Sequence, residues 1–193
     1  MVGLHGQTYS NSFLVSWSML LNTIHDKHDL YLIQADSSHR FVARHQMMGI
    51  NISSGTKPEP FQGVDYDVFL MIDPKIIFTP ESVIQLVERC AAEKNACSGL
   101  YYKDPSHYFV SVDGKTLLNK NEVEQLTDQA TSVQFTGLGF FACHKSVIDA
   151  LEFPYFQNVL SEELVFCKSI RDHGVSVVLY KDIVVHSEMN ITL

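Results

Sequence analysis

Five consecutive apolar residues, Val68-Phe69-Leu70-Met71-Ile72, run straight into Asp73 and Pro74. An unbroken apolar run of this length, with no polar alternation, suits a strand buried on both faces, as the middle of a parallel sheet requires. Such a sheet needs helices over it, and the following residues begin one. Thr79-Pro80-Glu81 joins a capping hydroxyl, a proline suited to the first turn and an acid at the positive end of the helix dipole. The spacing predicts a helix from there to about Lys94. Asp73 then stands just past the carboxyl end of a buried strand, the edge where open α/β sheets hold ligands. Asp-Pro is also a common turn dipeptide, and on spacing alone the turn is the simpler reading.

The rest of the chain alternates in the same way. Val2 to Ser10 reads as a strand tail entering a Gly- and polar-rich loop. Phe13, Leu14, Trp17, Leu20, Leu21 and Ile24 follow helical spacing, with a cap among Ser10 to Ser12. Leu30–Ile33 predicts a strand, and Arg40–Met48 a helix stopped by Gly49. Residues 51–63 predict a loop, and Ser98–Tyr102 a strand. Asp113-Gly114 between extended runs predicts a hairpin over Tyr108–Leu118. Asn119–Ala130 is either a short helix or a loop. Phe140–His144 predicts a strand, Lys145–Leu151 a helix, and Ser161–His173 a helix closed by Gly174. Val175–Tyr180 and Ile183–Val185 predict two last strands. Alternation in the first half predicts a parallel sheet flanked by helices, and the mixed second half a small antiparallel addition.

Composition narrows the partners. With 193 residues, 46% hydrophobic and 19% charged, the chain has the balance of one globular domain. A net charge of −8 argues against non-specific binding to nucleic acid or anionic membrane, though not against a nucleotide in a locally basic pocket. Cys90, Cys97, Cys143 and Cys167 have neither CxxC nor zinc-site spacing and read as free thiols of a reducing compartment. No apolar run approaches the roughly 18–20 residues of a membrane span. The N-terminus lacks the basic stretch and apolar core of a signal peptide. The expected location is the cytoplasm, the host cytoplasm if the chain is viral.

Tyr66 to Glu81 (YDVFLMIDPKIIFTPE) resembles the strand and acidic motif of GT-A glycosyltransferases, the family 2-like type. It is especially similar to a family of short glycosyltransferase-like proteins of bacteriophages and viruses. There the pattern is Tyr-Asp, an apolar strand, Ile-Asp-Ser-Asp, then Ile-Val-Phe-Thr-Pro. Here it is Tyr66-Asp67, the strand, Ile72-Asp73-Pro74-Lys75, then Ile76-Ile77-Phe78-Thr79-Pro80. Further segments match in order along nearly the whole chain. Gly3–Trp17 resembles the family's first loop and helix, and Phe41–Gly49 its Ala-Arg helix, with His45 in place of an Asn. Pro58–Gly63 resembles its Lys-Pro-Phe loop, Thr136–His144 its Gly-x-Gly strand, Ser161–Cys167 its Ser-Glu-Asp helix and Asp182–Glu188 its closing strand with a His. Phe153-Pro154-Tyr155-Phe156 resembles its Tyr-Pro-Trp-Phe, as a sugar wall or as core.

The resemblance implies a single Rossmann-like GT-A domain: residues 1 to about 100 as the nucleotide-binding half, about 101–193 as the acceptor and catalytic half. It implies sugar transfer from a nucleoside-diphosphate sugar, UDP favoured, to an acceptor hydroxyl on a glycan, a protein or a modified nucleobase. A diphosphate leaving group gathers negative charge, which GT-A enzymes usually neutralise with Mn²⁺ or Mg²⁺ held by the acidic motif and a distant His. Asp73 and His186 are the residues in those positions. Lys75 replaces the family's second acid, a direct metal ligand, so the motif is degenerate. Either a metal binds weakly through Asp73, His186 and the donor, or Lys75 offsets the phosphate charge itself, or catalysis is lost.

Glu162 and Glu163 match the family's Glu-Asp pair, with Glu163 in the position of the base that takes the acceptor proton in inverting members. Acids in a first helical turn also favour the dipole, and the two roles are compatible. His5, Gly6 and Tyr9 fall in the loop that cradles the nucleotide, against the simpler reading of a Gly turn. Asp36 falls where an acid contacts base or ribose, or caps the next helix. Arg44 is expected at the nucleotide or diphosphate, otherwise on a solvated face. Gly137 and Gly139 either let a sugar approach the backbone or mark a bulge. Two other functions compete. A non-catalytic GT-A-like nucleotide- or sugar-binding module is supported by Lys75 and by Glu for Asp at Glu163. A nucleotidyltransferase would want a basic Gly-rich first loop, and GLHGQTYS has no Lys or Arg.

Overall fold

The run at 68–72 becomes strand β3 (Val68–Ile72) of a seven-stranded sheet, and its side chains divide between two cores. Phe69 and Met71 enter one core, and Val68, Leu70 and Ile72 the other, as a period of two requires. A computed structural model describes residues 1–6, 8–52, 59–157 and 161–188. Within them the elements run β1 (Val2–His5), α1 (Asn11–Ile24), β2 (Leu32–Ala35), α2 (Arg40–Gln46), β3, β4 (Ile76–Ile77), α3 (Pro80–Glu93), β5 (Ala96–Leu100) and β6 (Val110–Ser111). They continue with α4 (Lys120–Gln125), β7 (Ala130–Ser132), β8 (Phe135–Thr136), β9 (Phe140–His144), α5 (Lys145–Ala150), α6 (Glu162–Asp172), β10 (Val177–Val184) and β11 (His186–Ser187).

The sheet order is β2-β1-β3-β9-β5-β10-β7. β1 is parallel to β2 and β3, and β10 is parallel to β5. β9 lies antiparallel between β3 and β5, so those two share one direction. β7 is the antiparallel edge. This is the expected α/β architecture: a mainly parallel sheet with helices on both faces and small antiparallel pairs, β4–β11 and β6–β8, beside it.

The helix starts are local chemistry. Ser10 accepts a hydrogen bond from the Phe13 N–H at 3.0 Å and Thr79 from the Ser82 N–H at 3.2 Å, each capping a helix. Removing such a cap costs about 1 kcal/mol. Asn119 and Glu122 form a reciprocal capping box, so the polar stretch at 119 is a helix start. Gly49 and Gly174 have φ of +70° and +80°, the left-handed geometry that stops a helix. All four cysteines are free and buried.

Three expectations shift. The strands expected at Val175–Tyr180 and Ile183–Val185 are one strand, β10, with a register irregularity after Tyr180. β2 lies further on than expected, at Leu32–Ala35. The chain does fold back at Asp113-Gly114, with Leu118 bonded to Tyr108 and Val110, yet the regular ladder of β6 goes to β8. Asp113 drives that reversal by accepting the Lys115 and Thr116 N–H groups, which makes a side-chain turn in place of a two-residue hairpin. Of the loop expected at 51–63, residues 53–58 lie outside the described residues; Pro60–Gly63 is a short 3₁₀ turn.

No helix among the described residues is long and apolar enough to cross a membrane.

Candidate active site

Asp73 follows β3 at the sheet's carboxyl edge, and its N–H donates to the Gly139 carbonyl at 2.8 Å, which ties it to the strand β9 beside it. Its Oδ1 lies 3.1 Å from His5 Nδ1, at the end of β1, and 3.4 Å from Arg44 Nη2, on α2. Burial pushes this carboxyl's pKa up, but Arg44 and His5 outweigh it and hold the value at about 2. Gly6, the next residue after His5, has φ +129°, and a Cβ there would meet Pro74 Cγ at 3.1 Å. The first loop therefore rests on the proline of the acidic motif.

Arg44 is 3% exposed and holds more than Asp73. Its Nε is 3.7 Å from Glu162 Oε1, and its Nη1 donates to the Leu138 carbonyl at 3.4 Å. Arg40, one turn earlier on the same face of α2, reaches Glu163 Oε1 at 3.5 Å. The two adjacent acids at the start of α6 thus meet two arginines one turn apart. They are not equivalent: Glu163 lines the main cavity, whereas Glu162 lies behind it. Burial raises the Glu162 pKa, partly offset by Arg44.

That cavity is about 900 Å³ and opens between Asp73, Arg40, Lys75 and Glu163 on one side and the segment 101–117 on the other. Tyr101 stands at its floor. Its hydroxyl accepts the Gly139 N–H at 2.8 Å, and burial together with Asp73 drives its pKa upward, so it stays protonated. In the sequence, Arg40 had a signal for this site, its i,i+4 spacing to Arg44; Tyr101, at the end of a strand, had none.

The remaining expected residues separate. The space left by Gly137 and Gly139 is filled by protein. A Cβ on Gly137 would lie 2.2 Å from the Tyr101 hydroxyl, and one on Gly139 2.9 Å from Asp73 Oδ2. Tyr9 packs its ring on Phe13 at 5.0 Å. Asp36 lines a second cavity of about 830 Å³ with Gln34 and Gln46, away from Asp73. His186 is exposed on β11; its neighbours Ser187 and Glu188 face the main cavity, and it does not. Phe156 is core, stacked on Phe166 at 4.5 Å. The donor set does not fit a divalent ion held by Asp73 and His186. Asp73 Oδ1 is shared by His5 and Arg44, Lys75 and Arg40 line the same cavity, and no three His, Cys, Asp or Glu side chains converge among the described residues.

The fold is similar to that of A197 from STIV, at 14% identity over 98% of this chain and 85% of that chain, with a TM-score of 0.68. It is also similar to glucosyl-3-phosphoglycerate synthase from Mycobacterium tuberculosis in complex with Mn²⁺, uridine-diphosphate and phosphoglyceric acid. There the identity is 12% over 98% of this chain and 70% of that chain, with a TM-score of 0.55. The same enzyme with Mg²⁺ and uridine-diphosphate gives 12% identity, 98% and 71% coverage, and a TM-score of 0.53. No protein-family profile and no curated protein sequence matches the chain. The likeness establishes a GT-A-like fold.

Proposed function

We propose that this protein is a glycosyltransferase that moves a sugar from a nucleoside-diphosphate sugar, UDP favoured, to an acceptor hydroxyl. One observation carries the reading: Asp73 at the carboxyl edge of the sheet and Glu163 at the start of α6 line one cavity, with Arg40 and Lys75 beside them. The donor lies against residues 1 to about 100, and the acceptor against about 101–193. Asp73 orients the sugar or ribose hydroxyls. Arg40 and Lys75 face the diphosphate and offset the charge that grows as it leaves. Glu163 accepts the proton of the attacking hydroxyl. His5 and Gly6, which lie against Asp73 and Pro74, form the nucleotide side, and Arg44 with Glu162 fixes Asp73 and Glu163 from behind. The ions in the Mycobacterium complexes accompany UDP; in this chain two cations occupy the equivalent electrostatic role.

A second reading, a nucleotide- or sugar-binding module without turnover, is favoured by the commitment of Asp73 Oδ1 to Arg44 and His5. Hydrolysis and transfer assays with a panel of nucleotide sugars, with Mn²⁺, with Mg²⁺ and with chelator, separate the two. Turnover of a UDP-sugar supports the enzyme. UDP binding with no turnover of any donor sinks it and leaves the binding module.

A further inference from the structure

The main cavity is large for one ligand: about 900 Å³ is near the upper end of the usual range. Its donor side is built from Asp73, Arg40, Lys75 and Glu163. Much of its other wall comes from the segment 101–117, with Phe135, Ser187 and Glu188 beside it, and two lysines of that segment are unused by the donor reading. Lys103 Nζ stands 4.7 Å over the Phe109 ring, and that ring meets Phe135 edge-on at 5.5 Å. An aromatic face positions an ammonium without neutralising it. Lys115 sits on the Asp113 turn, whose carboxylate accepts the N–H groups of Lys115 and Thr116 at 2.8 and 2.9 Å. The backbone under Lys115 is therefore fixed.

Two acids of this segment are held by its own turns, and Glu188, the residue after β11, lines the cavity. Asp113 also accepts the Ser111 and Thr116 hydroxyls, and Asp104 accepts the N–H groups of Ser106 and His107, both at 2.9 Å. Lys103 and Lys115 make no ion pair among the described residues, although other exposed lysines do, such as Lys145 with Asp65 at 2.6 Å and Lys168 with Asp172. On a chain of net charge −8, two lysines outside any ion pair on one cavity wall mark a place for an anion.

We propose that the 101–117 wall is the acceptor subsite and that the acceptor is a small hydroxyl compound carrying a phosphate or a carboxylate, held by Lys103 and Lys115. This rests on the glycosyltransferase reading. The anion docks on the lysines and turns a hydroxyl toward Glu163. The hydroxyl oxygen bonds to the anomeric carbon, the bond from that carbon to the diphosphate oxygen breaks with its electron pair leaving on the diphosphate, and the hydroxyl proton passes to Glu163. A neutral glycan would leave both ammonium groups unpaired, which is why charge is expected on the acceptor.

Calorimetry at saturating UDP tests this with three probes: glycerol 3-phosphate, glycerate and uncharged glycerol. At least one of the two anions should bind roughly tenfold or more tightly than glycerol, and which one does identifies the group. Lys103→Ala and Lys115→Ala should each weaken that anion about five- to tenfold. Their melting temperatures and UDP affinity should not change. Lys120→Ala, which removes the same charge from outside the cavity, should leave the anion unaffected. Equal binding of anions and glycerol by a protein that binds UDP overturns the subsite. So does a loss of UDP affinity in the lysine variants with anion binding intact, which would place these lysines on the donor. Failure of the wild type to bind UDP overturns instead the donor reading on which the subsite stands.

Discussion

The buried guanidinium of Arg44 lies 3.4 Å from Asp73 Oδ1, so helix α2 is pinned to the end of strand β3 at the residue that begins the acidic motif. The same side chain reaches Glu162 at 3.7 Å and links α2 to α6 as well. A cation shared by two elements in this way both sets the geometry of the cavity and keeps two acids close together.

Arg44→Ala leaves Glu162 buried and uncompensated, and a broken buried pair costs about 3–5 kcal/mol. Urea unfolding should show a loss of that size. Arg44→Lys should recover part of it, because one ammonium carries the charge but cannot reach both acids. A loss under about 1 kcal/mol for Arg44→Ala, the range of surface pairs, would show that the pair is solvent-screened.

The acid limb of stability should report Asp73. Its folded pKa, about 2, lies below its ordinary 3.8. A depressed carboxylate contributes stability that is present above the unfolded value and is lost as pH falls through the folded one. The stability difference between wild type and Asp73→Asn should therefore shrink as pH falls from about 4 to about 2. A pH-independent difference across that window would contradict the assignment.

Glu163 and Glu162 should separate kinetically. Glu163→Gln should lower kcat by about 10²–10⁴-fold with UDP affinity unchanged, the range for loss of a general base. Glu162→Gln, behind the cavity wall, should cost less than about tenfold. Glu162 has a raised folded pKa, so its charged form is the disfavoured one in the fold. Glu162→Gln should then recover stability mainly above that pKa, as seen in melting curves at neutral against acid pH. Equal kinetic losses in the two variants would remove the distinction.

Gly137→Ala should destabilise by about 1–3 kcal/mol, because its Cβ would sit 2.2 Å from the Tyr101 hydroxyl in a packed core. Tyr101→Phe strips the acceptor from the buried Gly139 N–H and should cost about 1–3 kcal/mol. Thermal melts read both. A neutral Gly137→Ala would mean that the glycine leaves room for ligand.

Lys75→Ala should weaken UDP binding roughly five- to tenfold without changing the melting temperature, because Lys75 is exposed at the cavity mouth. Lys75→Asp should make UDP binding depend on Mn²⁺, since a second acid would then stand two residues from Asp73. Unchanged UDP affinity in Lys75→Ala would take Lys75 out of the diphosphate site.

Much of the scaffold was legible in single segments. The unbroken run at 68–72, the Thr79-Pro80-Glu81 start and the glycine stops at 49 and 174 act through nearest neighbours along the chain, so their meaning survives without a fold. The alternation of strands and helices carried the α/β class for the same reason. The site was only partly legible. Asp73 was marked by its strand, and the acidic pair by its helix start, but nothing local separates Glu162 from Glu163. Two adjacent residues point about 100° apart on a helix, and which of them meets a cavity depends on what packs against it.

The sequence by itself determined the buried strand that Asp73 ends, the helix starts at Ser10 and Thr79 and the glycine stops at 49 and 174. Tertiary structure alone decided that β9 runs antiparallel between β3 and β5, that Arg44 is buried between two acids, and that His5, rather than His186, stands against Asp73. It also brought Lys103 and Lys115 to the cavity that Glu163 faces. The reason is physical: local propensity acts over one or two turns, whereas ion pairs such as Arg40–Glu163, 123 residues apart in the chain, form only once the sheet has fixed where its edges and helices lie.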